Sequence, residues 1–136
     1  MAAPAELLPT LHNSFARLAL THARQAERLT IDFGLVLATV EGGERYRMRP
    51  EHVLIEAKSA TGLGTVDRIL PGLGARPLSM CSKYCLGLAL ARPGLPTNPY
   101  RPLLRRHFDP TPLPTPLPTP LPALMAGVDM AVAVNA

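Results

Sequence analysis

A proline repeat limits what this chain can fold into. Residues 111–122 read TPLPTPLPTPLP, three copies of Thr-Pro-Leu-Pro. Because proline fixes φ and has no amide hydrogen, such a run cannot enter a helix or a central strand. Polyproline II is its natural conformation, as a semi-rigid spacer or as a ligand for aromatic-lined grooves. We therefore expect one folded domain over residues 5–108 and a disordered tail over residues 109–136.

The charge of the chain favours an anionic partner without identifying it. Its 136 residues include 14 Lys and Arg and 10 Asp and Glu, which gives a net charge of +4, and all 14 basic residues precede Asp109. A positive excess raises the local concentration of anions. Nucleic-acid binders of the stacking type also present aromatic platforms, whereas this chain has three Tyr, three Phe and no Trp. We therefore expect no nucleic-acid partner.

The two ends of the chain predict neither secretion nor a membrane span. The first residues, MAAPAELLPT, carry an acid instead of a basic segment, and no long apolar run follows, so we expect no signal peptide. The C-terminal ALMAGVDMAVAVNA is apolar but shorter than the roughly 20 residues of a spanning helix. A cytoplasmic location is the expectation.

Hydrophobic periodicity predicts strands first and helices afterwards. Residues 28–38 begin with alternating polar and apolar side chains, the pattern of a strand with two unlike faces, and residues 52–60, rich in β-branched and aliphatic side chains, are predicted as the next strand. Residues 10–20 fit either a strand or a short helix. The predicted helices lie at residues 64–70, at the segment that Ser82 caps, and at residues 101–108. This order predicts an α+β fold, with antiparallel strands on one side and helices on the other.

The polar faces of two strands carry residues suited to binding an anion or a metal ion. Alternation places Arg28 on the polar face of the first strand, and Glu56 and Lys58 on one face of the second. On an ordinary solvated sheet, such charges form cross-strand pairs worth about 0.2–1 kcal/mol. On a concave face, the cations would instead hold phosphate oxygens, and the glutamate would bind Mg²⁺ or Mn²⁺. The residues alone leave both interpretations open.

Common catalytic and metal-binding motifs are missing from the sequence. It contains no Walker A motif, zinc-protease motif, nucleophile elbow or dinucleotide fingerprint. The four histidines also lack the spacing of metal ligands; they are His12, His22, His52 and His107. The two lysines of the chain, Lys58 and Lys83, remain as the unusual feature, because every other basic residue is arginine.

Three segments, in this order and spacing, resemble a known family. They read ERLTIDFGLVL (27–37), EHVLIEAKSATG (51–62) and ARPLSMCSKYCLGLAL (75–90). They are similar to the second half of a VTC domain, the polyphosphate-polymerase-like branch of the triphosphate tunnel metalloenzymes in the CYTH-like superfamily. LPTNPYRPLLRRHF (95–108) resembles the tail of bacterial members. The resemblance covers roughly residues 9–108 and implies antiparallel strands of a partial triphosphate-tunnel β-barrel with flanking helices.

The resemblance implies roles for five residues. Arg17 and Arg28 match arginines that point at substrate phosphate from two tunnel strands. Lys58 matches a lysine of a late strand, and Lys83 matches one that reaches into the tunnel from the start of the last helix. Glu56 matches the glutamate that coordinates the divalent metal, Mg²⁺ or Mn²⁺. The implied substrates are a nucleoside triphosphate and inorganic polyphosphate.

The first half of the tunnel has no counterpart in this sequence. Family members begin with a strand carrying an E-x-E-x-K-like motif, and Met80 stands where some members place a basic residue. The implied function is metal-dependent transfer of phosphate from a nucleoside triphosphate to polyphosphate by a truncated domain. The alternative is a non-catalytic polyphosphate- or anion-binding, or vestigial, module. Open strand edges are expected, covered by a missing N-terminal half or by a homo-oligomer.

Overall fold

The structure, a computed structural model, describes residues 8–40, 44–78, 81–91, 94, 99–113 and 129–134. Within these residues it is an α+β fold of one sheet and three α-helices. The strands are β1 (Leu11–Thr21), β2 (Glu27–Thr39), β3 (Arg45–Arg47), β4 (His52–Ser59), β5 (Arg76–Leu78) and β6 (Asp129–Val134). The helices are α1 (Thr65–Ile69), α2 (Lys83–Ala91) and α3 (Arg101–His107), and a 3-10 helix (Leu70–Leu73) follows α1.

The sheet is open, with the order β1-β2-β4-β6-β5, and β3 pairs with β2 beside this path. β1, β2, β3 and β4 pair antiparallel, whereas β6 runs parallel to both β4 and β5. The α+β class and the two strands predicted from alternation are therefore confirmed. Residues 11–21 form a strand, which decides between the two alternatives for that segment.

A bulge at Gly34 changes the face that the side chains of β2 occupy. Gly34 has a φ of +59°, and Phe15 of β1 stands opposite both Gly34 and Leu35 because the register shifts there. An extra residue in one strand reverses the alternation beyond it. Phe33 and Leu35 therefore pack in different cores, although they are two residues apart. Leu35 consequently lies on the same face as Asp32.

Each face of the sheet has its own apolar core. One core is built by α2 and α3 over the sheet, and its buried members are Leu35, Leu37, Met48, Leu54, Leu86 and Phe108. The other core lies beneath α1 and the 3-10 helix, and its buried members are Val53, Ile55, Ala57, Leu70 and Ala75. Helices therefore cover both faces, whereas the sequence predicts them on one side. The bulge is the reason, because it turns Leu35 and Leu37 to the side of β2 that is polar before Gly34. Leu86 of α2 packs with these two residues.

The C-terminal part of the chain contributes β6. Residues 129–134 form this strand between β4 and β5, at a position where the composition predicts a disordered tail. Residues 114–128, with most of the proline repeat, lie outside the described residues, so disorder there stays a prediction. In the part of the chain that the structure describes, no helix has the length and apolar character needed to cross a membrane.

Candidate functional site

The residues that the resemblance selects share one face of the sheet. Residues opposite each other in an antiparallel pair project to the same side. The pairs along β2 are Arg28 with Lys58, Thr30 with Glu56, and Asp32 with Arg17. Lys83, the first residue of α2, reaches this side as well, because its ammonium group contacts Asp32. We call this surface, formed by Arg17, Arg28, Asp32, Glu56, Lys58 and Lys83, the charged face.

Asp32 is the centre of one half of the charged face. It is only 1% exposed, and its two oxygens accept hydrogen bonds from Arg17 Nε at 2.6 Å and Nη2 at 2.9 Å. Lys83 Nζ lies 2.7 Å from Asp32 Oδ2. Both cations also lie 4.9 Å from the ring centre of Phe15. The sequence-based site omits Asp32, although an acid within a strand, on the same side as Arg28, is the signal that marks it.

The pKa of Asp32 shows that the two cations outweigh its burial. Burial by itself raises the pKa of this carboxyl group, because the charged form loses its hydration. The hydrogen bonds from Arg17 and Lys83, together with their charges, lower the pKa by more, so it lies below its ordinary value. Asp32 is therefore ionised at neutral pH and holds both cations in position.

Local sequence explains how Lys83 reaches Asp32. The hydroxyl oxygen of Ser82 accepts the backbone N–H of Cys85 at 3.3 Å, which confirms Ser82 as the cap of α2. Leu86, one turn further on, is 1% exposed in the core that α2 forms with the sheet. Docking of Leu86 thus fixes the first turn of α2 above β2, and Lys83 extends from that turn to Asp32.

The other half of the charged face is more exposed. Lys58 Nζ lies 3.0 Å from Glu56 Oε1, and the two side chains are 62% and 22% exposed. An ion pair with this much solvent contact contributes roughly 0–1 kcal/mol. Among the described residues Arg28 has no acidic partner, and with Lys58 it lines an open cleft of about 410 Å³. The turn between β1 and β2, Glu27 at the start of β2, and residues 59–60 at the end of β4 complete the cleft.

Glu56 connects the two halves electrostatically. The hydrogen bond to Asp32 is the main cause that raises the pKa of Arg17, and the charge of Glu56 raises it further. Burial is the main cause that raises the pKa of the Cys81 thiol, with Lys83 opposing and Glu56 reinforcing that shift. Glu56 therefore lies close enough to both Arg17 and the start of α2 to act on them.

The residues around Glu56 offer few oxygen ligands for a metal ion. Among the described residues, no three or more His, Cys, Asp or Glu side chains are grouped so as to hold a metal ion. Glu56 is a single carboxylate, and Lys58 already contacts one of its oxygens. Mg²⁺ binds through one or two carboxylates when substrate phosphates and waters supply the other oxygens. Glu56 thus fits the metal-binding role only together with a bound phosphate.

Comparison with known proteins identifies no relative. No protein-family model, no curated protein and no solved structure matches this chain. What the charged face does must therefore be inferred from its own chemistry and from the resemblance of its motifs.

Proposed function

We propose that the charged face binds inorganic polyphosphate or the phosphates of a nucleoside triphosphate. One observation carries the proposal: among the described residues, the charged face brings four cationic side chains together with two carboxylates. The cations are Arg17, Arg28, Lys58 and Lys83, and the carboxylates are Asp32 and Glu56. An excess of two positive charges attracts a polyanion, and strands and a docked helix hold these charges in fixed places.

Arg28 and Lys58 are the primary phosphate contacts in this proposal. They stand directly opposite each other in the register of β2 and β4. Like charges at such a position destabilise a sheet, and a bound anion removes this repulsion. Lys58 exchanges Glu56 for a phosphate at little cost, because that ion pair is exposed.

Arg17 and Lys83 would bind a second part of the same ligand. Arg17 has five N–H donors and uses two for Asp32, and Lys83 has three and uses one. Asp32 lies four residues along β2 from Arg28, which is about 13 Å in a strand. A ligand that contacts both ends of the face must carry several phosphates in a row. The spacing therefore favours polyphosphate over a single phosphate ion.

The binding test uses fluorescent polyphosphate and anisotropy. Arg28→Ala and Lys58→Ala are each expected to weaken binding about tenfold, since a hydrogen bond to a charged group contributes about 1.5–3 kcal/mol. Arg68→Ala is the matched control, because this exposed arginine lies on α1, over the opposite face. Unchanged affinity in the Arg28→Ala/Lys58→Ala double variant, or equal loss in the Arg68 control, would contradict the proposal.

A second candidate function is phosphate transfer, and the position of Glu56 favours it. Glu56 lies on the same face as the proposed phosphate contacts, where it would hold Mg²⁺ or Mn²⁺ together with the ligand's oxygens. The test incubates the chain with ATP and Mn²⁺ and measures polyphosphate formed. Glu56→Gln should abolish product while leaving polyphosphate binding within about threefold of the unaltered chain. Binding without any product from the unaltered chain leaves the non-catalytic module as the function.

The proposal includes a partner at β1. This strand is at the edge of the sheet, and its side chains Leu18 and Leu20 are 46% and 50% exposed. An eleven-residue edge strand offers unpaired backbone groups that proteins usually cover. Either a second copy or a separate N-terminal half would pair there. Light scattering should show a dimer that Leu18→Lys disrupts, and a monomer at all concentrations would contradict the homo-oligomer.

A further inference from the structure

A buried carboxylate lies on the side of the sheet away from the charged face. Glu27 is the first residue of β2, and alternation turns it to the opposite side from Arg28, the side of Leu29 and Ile31. Glu27 is 8% exposed, and neither of its carboxylate oxygens has a hydrogen-bond partner. The two oxygens are thus withdrawn from solvent without a compensating donor.

Asp67 brings a second carboxylate to the same place. Its Oδ2 accepts the backbone N–H of Gly64 at 2.8 Å, whereas its Oδ1 is buried without a partner. Oε1 of Glu27 lies against the same glycine, because a Cβ built on Gly64 would be only 1.5 Å from it. Gly64 lacks a side chain, and its bare Cα is what allows both carboxylates to converge on one residue.

Glu27 is buried and Asp67 is partly buried, and the described part of the chain supplies neither carboxylate with a counter-charge. Among the described residues, no Lys, Arg or His forms an ion pair with Glu27 or Asp67. Arg28 is adjacent in sequence but projects to the charged face. Withdrawing a carboxylate from water is unfavourable, and a second negative charge nearby increases the cost. A positive ligand would remove both penalties.

The oxygen atoms without a hydrogen-bond partner determine which ligand fits. They are Oε1 and Oε2 of Glu27 and Oδ1 of Asp67, all of them carboxylate oxygens. We propose that Glu27 and Asp67 bind a divalent cation with a preference for oxygen, Ca²⁺ or Mg²⁺. Both ions accept one or two carboxylates and complete their coordination with waters and backbone carbonyls. A donor set without sulfur or imidazole favours them over Zn²⁺.

The cation would have a structural role that is separate from polyphosphate binding. α1 has only five residues, a length at which a helix is not stable on its own in water. A cation shared by Glu27 of β2 and Asp67 of α1 would join this helix to the sheet. The proposal therefore does not depend on the function of the charged face.

The test follows the thermal unfolding midpoint of the full chain, first in chelator and then in millimolar CaCl₂ or MgCl₂. One of these cations is expected to raise the midpoint by roughly 5 °C or more. Titration calorimetry should show one cation per chain. Glu27→Gln and Asp67→Asn keep the shape of each side chain and remove its charge, so both should abolish the rise.

Two variants serve as matched controls. Glu51→Gln changes an exposed glutamate elsewhere and should keep the full rise. Glu56→Gln should also keep it, which separates this site from the metal ion proposed for the charged face. Gly64→Ala leaves every charge in place but sets a Cβ where Oε1 of Glu27 lies, and it should lose the response.

The same thermal-unfolding measurements can overturn the cation site. Absence of any cation-dependent rise in the unaltered chain overturns the proposal, as does a rise of the same size in Glu27→Gln and Asp67→Asn. In chelator, Glu27→Gln should unfold at a higher temperature than the unaltered chain, because the uncompensated charge is gone. Equal midpoints for these two chains in chelator would mean that the Glu27 charge carries no penalty, which also overturns the proposal.

Discussion

Replacing Asp32 by asparagine tests the central contact of the charged face. The carboxylate is 1% exposed and accepts from Arg17 at 2.6 and 2.9 Å and from Lys83 at 2.7 Å. Asparagine replaces one of these oxygens by an NH₂ group, which has no acceptor to offer a cation. Removing one partner of a buried ion pair costs about 3–5 kcal/mol. Because the Arg17 side chain is 35% exposed and keeps contact with water, we expect about 3 kcal/mol.

Urea unfolding measures this loss. With a slope of about 1.5 kcal/mol per molar urea, a loss of 3 kcal/mol lowers the unfolding midpoint by about 2 M. The control is Arg28→Met, which removes a cation of the same face that has no acidic partner among the described residues, and it should change stability by less than about 0.5 kcal/mol. In Asp32→Asn/Lys83→Met, loss of the unpaired ammonium should recover part of the stability.

Two results would refute this reasoning. One is an Asp32→Asn variant within about 0.5 kcal/mol of the unaltered chain, which would mean that the ion pairs do not survive in solution. The other is strict additivity between Asp32→Asn and Lys83→Met, because residues in contact should show a coupling of about 0.5–3 kcal/mol.

Three further predictions concern pH, the bulge and the core. The pKa of Asp32 is lowered on folding, so its contribution to stability is complete above the unfolded-state pKa of about 4 and is lost as the pH falls through the folded value. As the pH is lowered below about 4, the urea concentration at the unfolding midpoint should fall, and it should fall less steeply in Asp32→Asn. Gly34→Ala should cost about 1–2 kcal/mol because φ is +59°, whereas Gly72→Ala, with open space around it, should be close to neutral. Leu86→Ala should cost about 2–5 kcal/mol because it leaves a cavity in the core. Leu63 is 69% exposed, so Leu63→Ala should cost less than about 0.5 kcal/mol. Equal losses within either pair of variants, measured by urea unfolding, would contradict the corresponding structural reason.

Local patterns predicted the elements that depend on local interactions. Alternation at the start of residues 28–38 predicted β2, the β-branched and aliphatic content of residues 52–60 predicted β4, and the hydroxyl of Ser82 predicted the start of α2. β3, β5 and β6 were not predicted, for physical reasons. β3 and β5 have three residues each, too few to show a hydrophobic period. β6 pairs in parallel with β4 and β5 across a long stretch of chain, which local sequence does not reveal.

Membership of the charged face was also predictable, but its ion pairs were not. Alternation by covalent geometry assigned Arg28 to one face of its strand, and Glu56 and Lys58 to one face of theirs. The register of β2 on β4 puts these two faces on the same side of the sheet. Asp32 received no role, because its burial arises only when α2 covers that part of β2.

The sequence by itself determined that this chain would form an α+β fold with cations and a glutamate along the polar side of its strands. Tertiary structure decided which charges meet. Arg17 contacts Asp32 because the register of β1 on β2 sets them opposite, and Lys83 joins them because Leu86 docks α2 on the core beyond the Gly34 bulge. Ion pairs act over a few ångströms, and only packing brings residues so distant in sequence that close.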